Sequence, residues 1–563
     1  YFNTPGTTTV TSTTNASGNA MATLTLGSVL NEPHTVSAAV VGFPSITPVG
    51  FNAIPTATSA DTMEYFKGNG DIIFTPDGSY RLYQEAEVLT LLPDSFQVKL
   101  VDPFGNPVQN HDVKFKVVQG GGSFNEKVEI EVKSDAFGIA RARFKLGALA
   151  GDSVHVVEAS AVRSAGGALT PLKGSPVVFK ATGLPRDAEQ LVKFSGDNQS
   201  QRVDVALAQP VRVRVVDVFN NAIKNHPLTF SVQPENGTLI NNAEEVSLIQ
   251  KTTNDSGFAS VVWKMPKTPG QVFLTVEGSK PDNSPLKNSP MQFTATAIPD
   301  AANTMMANSD TTFEATVGTQ LPQPISVKIV DQHNNPVGSI PVTFTVTAGG
   351  GRVDGVANKT VQTGANGIAG VIWTLGTKSG VLNNVVEATS SAPNNPMIRF
   401  KATAKPSVAD TLKPDMTYDV IGSAGSMLAS GPVKVRIVDR YGNPVPNHTV
   451  LFQVIDVGGN MGYIDIPGQI VKQVMTDAEG FVQADWYLGP KPGVNNNKLT
   501  TSSKYNNMHL KGSPYDFIVS TTVNTAAKLV AITNTTGLES ITTNNLQDGL
   551  VVKVTDAFNN PIA

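Results

Sequence analysis

The chain contains no cysteine, and the absence of this residue type excludes three kinds of chemistry at once. Without cysteine there is no disulfide framework, no zinc site held by cysteine sulfur and no catalytic thiol. The absence does not by itself fix the compartment in which the protein works.

The sequence also lacks a long apolar run and a surplus of positive charge. No stretch approaches the ~18 consecutive apolar residues that a membrane helix needs, and the opening YFNTPGTTTV has neither the basic nor the apolar part of a targeting signal. The formal net charge of -4 provides no positive field for a phosphate backbone. We therefore expect no nucleic-acid partner and no membrane span within this chain.

Catalytic and cofactor motifs are missing as well. No serine lies in G-x-S-x-G, no histidine pair has the spacing of a zinc protease, and the Gly-Lys dipeptide of a phosphate-binding loop does not occur. No pair of carboxylates outside the repeated blocks stands out as a general acid and base. We therefore predict that the protein is not an enzyme, with no catalytic, cofactor-binding or metal-binding residues.

What the sequence does contain is one block of residues written five times. The block VKIVDQHNNPVGSIPVTFTV at 327–346 recurs in altered form, and one aspartate marks each copy: Asp102, Asp217, Asp331, Asp439 and Asp556. The spacing of roughly 110–115 residues is the size of one small β-sandwich. Ahead of each aspartate, apolar residues alternate with charged ones, as in Val327, Lys328 and Ile329. This alternation predicts a strand with one face in water.

A second recurring block contains every tryptophan of the chain. In DAEGFVQADWYLG, which begins at Asp477, small apolar residues alternate with polar ones up to the tryptophan. The same position holds Trp263, Trp373 and Trp486 in three copies. A large ring beside small residues at alternate positions is typical of a sandwich interior, so we predict core residues. The alternative is a row of aromatic side chains that stack on a ligand.

The order of the motifs resembles that of a known domain family. V-x-V-x-D-x-x-x-N-P-V is followed by V-x-F-x-V, then by D-x-x-G-x-A-x-V-x-W-x-L-G and N-x-V-x-A. This order is similar to that of the bacterial immunoglobulin-like domains of the invasin and intimin adhesin group, and it runs through essentially the whole chain. The resemblance implies the repeat region of a long bacterial surface protein, outside the cell, with other proteins or neighbouring subunits as partners. Nothing matches the lectin-like tip or the β-barrel anchor of those adhesins, so a surface, host or glycan ligand would bind through regions outside this chain.

The repeats predict both the fold class and the domain organisation. Helical periodicity with capping signals is missing, and glycine and proline lie largely between the strand patterns, which indicates an all-β protein. We expect a tandem array of immunoglobulin-like β-sandwich domains with these parts: the end of a domain at 1–56, complete domains at 57–185, 186–299, 300–406 and 407–524, and the start of a domain at 525–563. Short joints predict an extended rod, on the order of 170–200 Å long for sandwiches of this size.

Two functions fit such an array. The first is a stalk or spacer of a large bacterial adhesin-like protein. The alternative is a building element of an extracellular filament, sheath or surface layer, held by lateral or head-to-tail contacts between exposed strand edges. We expect the chain to be a segment of a longer polypeptide. If it were complete and polymerised by sharing a sandwich between its two ends, one inner strand would be missing.

The repeated aspartate is the strongest candidate for chemistry beyond packing. Carboxylates near domain joints could bind calcium, but no second carboxylate recurs at a fixed short spacing. We favour a turn in which the aspartate accepts backbone N–H bonds. The residues His111, His226 and His448 share one position, and Ile340 replaces them in another copy, which indicates packing and not metal binding.

One segment departs from the repeat pattern and is the first place to look for a partner. EYFKGNGDIIFTPDGSYRLYQEAEVLTLLP, which starts at Glu64, is longer and richer in aromatic residues than its counterparts. Its candidate contact residues are Tyr65, Phe66, Phe74, Tyr80 and Tyr83. One interpretation is an inserted hairpin that packs on its own sandwich. The other is a contact surface for another chain.

Overall fold

The computed structural model describes all 563 residues except 4, 70–72, 75–79, 82, 83, 166, 535 and 540–548. In the described residues the regular structure consists of β-strands and one short 3-10 turn, Pro234–Asn236. The predicted all-β class is therefore confirmed. This part of the chain contains no helix with the length and hydropathy of a membrane span. The chain divides into two compact units, Tyr1–Ile298 and Pro299–Ala563, which we describe separately.

The first unit contains a hairpin and two sandwiches. The hairpin comprises β1 (His34–Ala38) and β2 (Val49–Ala53). The first sandwich comprises β3 (Thr62–Lys67), β4 (Ile73–Phe74), β5 (Tyr80–Arg81), β6 (Gln84–Glu87), β7 (Phe96–Val101), β8 (Asp112–Gln119), β9 (Gly122–Ser123), β10 (Glu129–Lys133), β11 (Ile139–Ala142), β12 (Lys145–Leu146), β13 (Gly151–Ser160), β14 (Val162–Ala165), β15 (Ala168–Pro171) and β16 (Val177–Leu184). The second comprises β17 (Gln190–Ser195), β18 (Gln199–Arg202), β19 (Val211–Val216), β20 (Pro227–Val232), β21 (Thr238–Asn241), β22 (Glu244–Val246), β23 (Leu248–Thr252), β24 (Phe258–Lys264), β25 (Gly270–Glu277) and β26 (Met291–Ile298).

The second unit contains two further sandwiches and a final strand pair. The third sandwich comprises β27 (Thr304–Ala307), β28 (Thr312–Thr316), β29 (Ile325–Val330), β30 (Pro341–Ala348), β31 (Arg352–Val353), β32 (Asn358–Gln362), β33 (Ile368–Val371), β34 (Trp373–Thr374), β35 (Gly380–Ser390) and β36 (Met397–Lys405). The fourth comprises β37 (Ala409–Pro414), β38 (Ile421–Ser423), β39 (Val433–Asp439), β40 (Thr449–Ile455), β41 (Tyr463–Ile464), β42 (Val471–Met475), β43 (Phe481–Ala484), β44 (Trp486–Tyr487), β45 (Gly493–Ser502), β46 (Lys504–Tyr505), β47 (Met508–His509) and β48 (Tyr515–Thr522). The last pair is β49 (Lys528–Ala531) and β50 (Val552–Thr555).

Each sandwich has the strand order of an immunoglobulin-like domain. In the third sandwich, one sheet has the order β27-β29-β33 and the facing sheet the order β28-β36-β35-β30-β32. All neighbours in these sheets are antiparallel except β28 and β36, which run parallel. The other three sandwiches repeat the five-stranded sheet with the same single parallel pair. Non-consecutive strands thus lie side by side, as in a Greek-key sandwich. The predicted tandem array of such sandwiches is confirmed.

The alternating pattern places the predicted core residues inside. In β29, the side chains of Ile325, Val327 and Ile329 are fully buried, and Lys328 between them points outward. Trp373 is also fully buried, as are the other two tryptophans, so these rings are core residues and not a ligand platform. The physical reason is that successive side chains of a strand point to opposite faces.

Each sandwich has a hydrophobic core of its own. In the described part of the chain, the four large clusters of buried apolar residues lie within 60–181, 188–297, 305–404 and 409–519, and none draws from two sandwiches. Because burial of apolar area is the main stabilising term, each sandwich contains what it needs to fold as a unit. The domain boundaries given in the sequence analysis remain a prediction.

A buried polar residue follows an irregular stretch in three equivalent strands. The pairing register shifts early in β13, β35 and β45, and the next inward residues are His155, Asn384 and Asn497. All three are buried. The Oδ1 of Asn384 accepts the N–H of Gly376 at 2.8 Å, and the Oδ1 of Asn497 accepts that of Gly489 at 2.6 Å. These amides satisfy a loop that would otherwise leave backbone groups unpaired.

Candidate functional site: the joints between sandwiches

The repeated aspartate forms a tight turn at the start of each sandwich. The Oδ1 of Asp439 accepts the N–H of Tyr441 at 2.8 Å and the N–H of Asn443 at 2.9 Å. The same two bonds, to the second and fourth residues onward, are made by Asp102, Asp217, Asp331 and Asp556. A side-chain oxygen that accepts local N–H groups defines an Asx-type turn. The predicted turn is therefore confirmed.

The second carboxylate oxygen holds the linker that enters the sandwich. The Oδ2 of Asp439 accepts the N–H of Ser407 and the Nδ2–H of Asn443, both at 2.9 Å. In the other copies the linker N–H that reaches this oxygen belongs to Thr58, Arg186, Asp300 and Asn524, at 3.0–3.2 Å. The linker peptide is thus fixed to the turn, which removes freedom that a linker of this length would otherwise have.

Burial and hydrogen bonding shift the pKa values of these carboxylates in opposite directions. For Asp331, burial raises the pKa, while hydrogen bonds from the Asn335 side chain and from the backbone N–H groups of Asp300, Asn335 and His333 lower it, and the net shift is downward. The pKa values of Asp102 and Asp556 are lowered against the same opposing effect of burial. A buried carboxylate stays ionised when several N–H donors stabilise its charge.

An asparagine four residues after the aspartate reaches the preceding sandwich. The Nδ2–H of Asn443 donates to the carbonyl of Thr377, and the N–H of Ser379 donates to its Oδ1, both at 2.8 Å. Asn221 makes the same pair of bonds at 2.8 Å, to the carbonyl of Ala148 and from the N–H of Ala150. We call this asparagine and its contacts the joint clamp. Each neutral hydrogen bond contributes about 0.5–1.5 kcal/mol net, so two bonds contribute substantially to the free energy that holds two neighbouring domains together.

Two other joints have the clamp with one hydrogen bond. Asn106 donates to the carbonyl of Ser28 at 2.7 Å, and Asn560 donates to the carbonyl of Pro490 at 2.6 Å. At the latter joint, the Nδ2 of Asn524 also lies 2.9 Å from the carbonyl of Ala424. The clamp is therefore a recurrent feature, and its number of hydrogen bonds varies from joint to joint.

An aromatic ring two residues after the aspartate covers the preceding sandwich. The hydroxyl of Tyr441 lies where a Cβ on Gly318 would be 2.8 Å away, and the ring of Phe558 lies similarly against Gly425. Both glycines have a positive φ, near +70°, which a residue with a side chain adopts less readily. Glycine at these positions thus serves both the turn and the close approach of the ring.

The histidines that share one position in the repeats make contacts within their own sandwiches. His448 has its Nε2 2.9 Å from the Oγ of Ser503, and His111 has its Nε2 3.1 Å from the carbonyl of Val162, each within its own sandwich. The described residues contain no group of three or more histidine, aspartate or glutamate side chains that could hold a metal ion.

Among the aromatic candidates of the insert, the structure describes the side chains of Tyr65 and Phe66. Tyr65 and Phe66 lie in β3, the first strand of the sandwich, for which every sibling has an equivalent, and their side chains are 46% and 47% exposed. The Tyr65 ring contacts that of Phe179, with centroids 5.8 Å apart. Phe74 and Tyr80 pair across the β4–β5 hairpin, and Tyr83 lies outside the described residues. A role in partner contact remains a prediction.

Reading the sequence alone missed the joint clamp. The asparagine is present in all five copies of the block, at positions 106, 221, 335, 443 and 560, and this recurrence was the available signal. The recurrence alone does not reveal the contact, because the partners of the asparagine are backbone groups of the preceding repeat, which leave no mark in a sequence.

Comparisons with known proteins give distant likenesses only. No protein-family model matches the chain, and no curated protein matches it. A tetra-tandem repeat in the extending region of a large adhesion protein is 15% identical, with 82% of this chain and all of that chain covered and a TM-score of 0.27. Invasin, a bacterial integrin-binding protein, is 14% identical over 80% of each chain, with a TM-score of 0.34. A Ca²⁺-stabilised adhesin of an ice-binding Antarctic bacterium is 13% identical, covers 83% of this chain and 98% of its own, and has a TM-score of 0.20.

All three are adhesin or invasin structures. At such low identities and TM-scores, the likeness settles neither an activity nor a partner for this chain. The fold assignment rests on the strand order described above.

Proposed function

We propose that this chain is a non-catalytic structural repeat region of a large adhesin-like protein, which works as a stalk or spacer outside a bacterial cell. The observation that carries the proposal is the joint clamp. Tandem sandwiches with separate cores would move freely unless their joints were tied, and within each compact unit the linker and the Asn amide are both bonded at the joint. A tied array transmits force and sets a distance between its ends.

The same proposal includes a localisation and a set of binding partners for the chain. We place it at the bacterial cell surface, where a ligand on a host, a glycan or another surface would be bound by regions beyond this segment. Contacts with other proteins or neighbouring subunits would be made by exposed edges and by the Tyr65 and Phe66 region. Such contacts would add to the spacer role without replacing it.

A building element of an extracellular filament, sheath or surface layer is the second proposal. The observation in its favour is that the five-stranded sheets end at exposed edge strands such as β32, whose outer backbone groups could pair with a neighbouring molecule. The two proposals differ in how many molecules they bring together.

Electron micrographs of intact cells, labelled with antibodies against this chain, would test both proposals. A spacer predicts label on isolated fibres that project from the envelope. An assembly element predicts label on a periodic lattice or filament. Label confined to the inside of the cell would contradict both. In solution, small-angle scattering of the chain should give the profile of an elongated particle, and a compact profile would contradict the spacer.

A further inference from the structure

The loops that receive the clamp differ in whether the residue just before the next strand has a backbone N–H. Ser379 stands immediately before Gly380, where β35 begins, and Ala150 stands immediately before Gly151, where β13 begins; each supplies the N–H that completes a two-bond clamp. In the fourth sandwich Pro492 stands before Gly493, where β45 begins. Proline has no N–H. Asn560 makes one hydrogen bond to this loop, to the carbonyl of Pro490, and its Nδ2 also donates to Asp556. Outside the clamp, the Nδ2 of Asn524 donates across the same joint to the carbonyl of Ala424 and to the Oγ of Ser426.

We propose that the residue before this glycine sets how firmly the joint clamp holds the next domain, and with it the contribution of the clamp to joint stiffness, after the first, third and fourth sandwiches. A residue with an N–H gives a two-bond clamp, and proline gives a one-bond clamp. The amide of Asn443 makes three hydrogen bonds, to Thr377, from Ser379 and to Asp439, whereas the amide of Asn560 makes two, to Pro490 and to Asp556. Where proline replaces the N–H donor, the amide therefore has one bond fewer to the preceding sandwich. The amide of Asn443 is itself held by Asp439, so its orientation sets that of the turn and of the sandwich behind it.

The joint clamp does not depend on the side chains of the loop that receives it. Ser379 and Ala150 have different side chains and make the same N–H contact, because only the backbone is used. The loop also tolerates proline, as shown by Pro492 in a loop of the same length. The loop after Gly27 is shorter, and there the amide of Asn106 donates to the carbonyl of Ser28 and to the carboxylate of Asp102. The clamp can therefore be strengthened or weakened at a joint through a single substitution in the receiving loop.

This inference deepens the proposed spacer function and rests on it for its biological meaning. It does not depend on that function for its test, because the stiffness of a joint can be measured in the isolated chain. A failure of the micrograph experiment would leave the joint result standing, and the reverse also holds.

The test is a distance measurement across the joint between the third and fourth sandwiches. Because the chain has no cysteine, Lys359→Cys and Lys504→Cys place one spin label on each sandwich, at exposed lysines. Pulsed electron–electron double resonance then gives the distribution of distances between the two spin labels in the full chain. The variant is Ser379→Pro, which removes the N–H and leaves the Asp439 turn intact. The matched control is Ser379→Ala, which keeps the N–H.

The expected result is loss of the narrow distance distribution in Ser379→Pro and its retention in Ser379→Ala. A distribution of equal width in the two variants would overturn the proposal. The joint between the first and second sandwiches gives a second measurement, with labels at Lys116→Cys and Lys251→Cys and the variants Ala150→Pro and Ala150→Ser.

Folding of the proline variants is checked by amide exchange in the labelled sandwiches. If both proline variants disturb their own sandwich, Asn443→Ala and Asn221→Ala decide the matter, since each removes a whole clamp from the other side of the joint. Each should broaden the distances across its own joint and leave the other joint unchanged. Unchanged widths at both joints would overturn the proposal.

Discussion

The indole N–H of Trp263 donates a hydrogen bond to the carbonyl of Asn236 at 2.9 Å inside the core of the second sandwich. Trp373 and Trp486 occupy the same position in the third and fourth sandwiches, and their indole N–H groups have no protein acceptor in the described residues. Three rings with the same burial thus differ in one hydrogen bond.

Replacing these rings by phenylalanine should separate the hydrogen bond from the burial. Trp263→Phe removes ring volume and leaves the Asn236 carbonyl unpaired, whereas Trp373→Phe removes similar volume and an N–H that has no protein acceptor. We expect Trp263→Phe to lower the free energy of unfolding by about 1 kcal/mol more than Trp373→Phe. Amide exchange in β24 and in β33 measures the two costs. Equal costs would contradict the assigned role of the hydrogen bond.

The core of each sandwich could be predicted from the sequence because its signal is local. Alternation with period two, as in Ile325, Val327 and Ile329, depends only on neighbours in the same strand. The turn at Asp439 was also predictable, since its N–H partners lie within four residues. Both predictions needed no knowledge of how distant segments meet.

The joint clamp and the insert show what could not be predicted. Asn443 binds backbone groups more than sixty residues earlier, and a backbone acceptor has no residue type to recognise. The length of the segment that contains Tyr65 and Phe66 suggests either an inserted hairpin or a contact surface, yet these two residues lie in a first strand that every sandwich has. Length alone does not show where along a segment the extra residues are placed.

Calcium should have little effect on the stability of the joints. The two carboxylate oxygens of Asp439 already accept four N–H bonds, from Tyr441, Ser407 and the backbone and side chain of Asn443. A cation would have to displace these donors, and calcium needs several further oxygen ligands. We expect the melting temperature to be the same with calcium and with a chelator. A marked fall on chelation would show that the aspartates bind metal as well as forming turns.

Each complete sandwich should unfold as a separate unit under force. The four buried clusters do not extend across a joint in the described residues, and the clamps add only one or two hydrogen bonds between neighbours. Single-molecule pulling should give successive events, each releasing about 90–110 folded residues, as expected for weakly coupled repeats. One cooperative event for the whole chain would contradict independent cores.

The stability of the first sandwich should fall in mild acid because of one histidine. His155 is fully buried, with its Nε2 2.9 Å from the carbonyl of Leu149. Burial lowers the pKa of His155, and hydrogen bonds to the carbonyls of Gly121 and Leu149 oppose this effect without cancelling it. The unfolded chain, with a histidine pKa of about 6.5, therefore takes up the proton first as the pH falls.

Because the unfolded chain is protonated first, the first sandwich loses stability as the pH falls. The stability that neutral His155 contributes is complete above a pH of about 6.5 and is lost progressively as the pH drops from there toward the lower pKa of the folded state. His155→Asn is the matched control, because Asn384 and Asn497 fill the same position in the third and fourth sandwiches. Amide exchange in β13, corrected for its intrinsic pH dependence, should show destabilisation between pH 7 and 5 in the native chain and a smaller slope in the variant. An identical slope in both chains would show that other groups control the acid response of this sandwich.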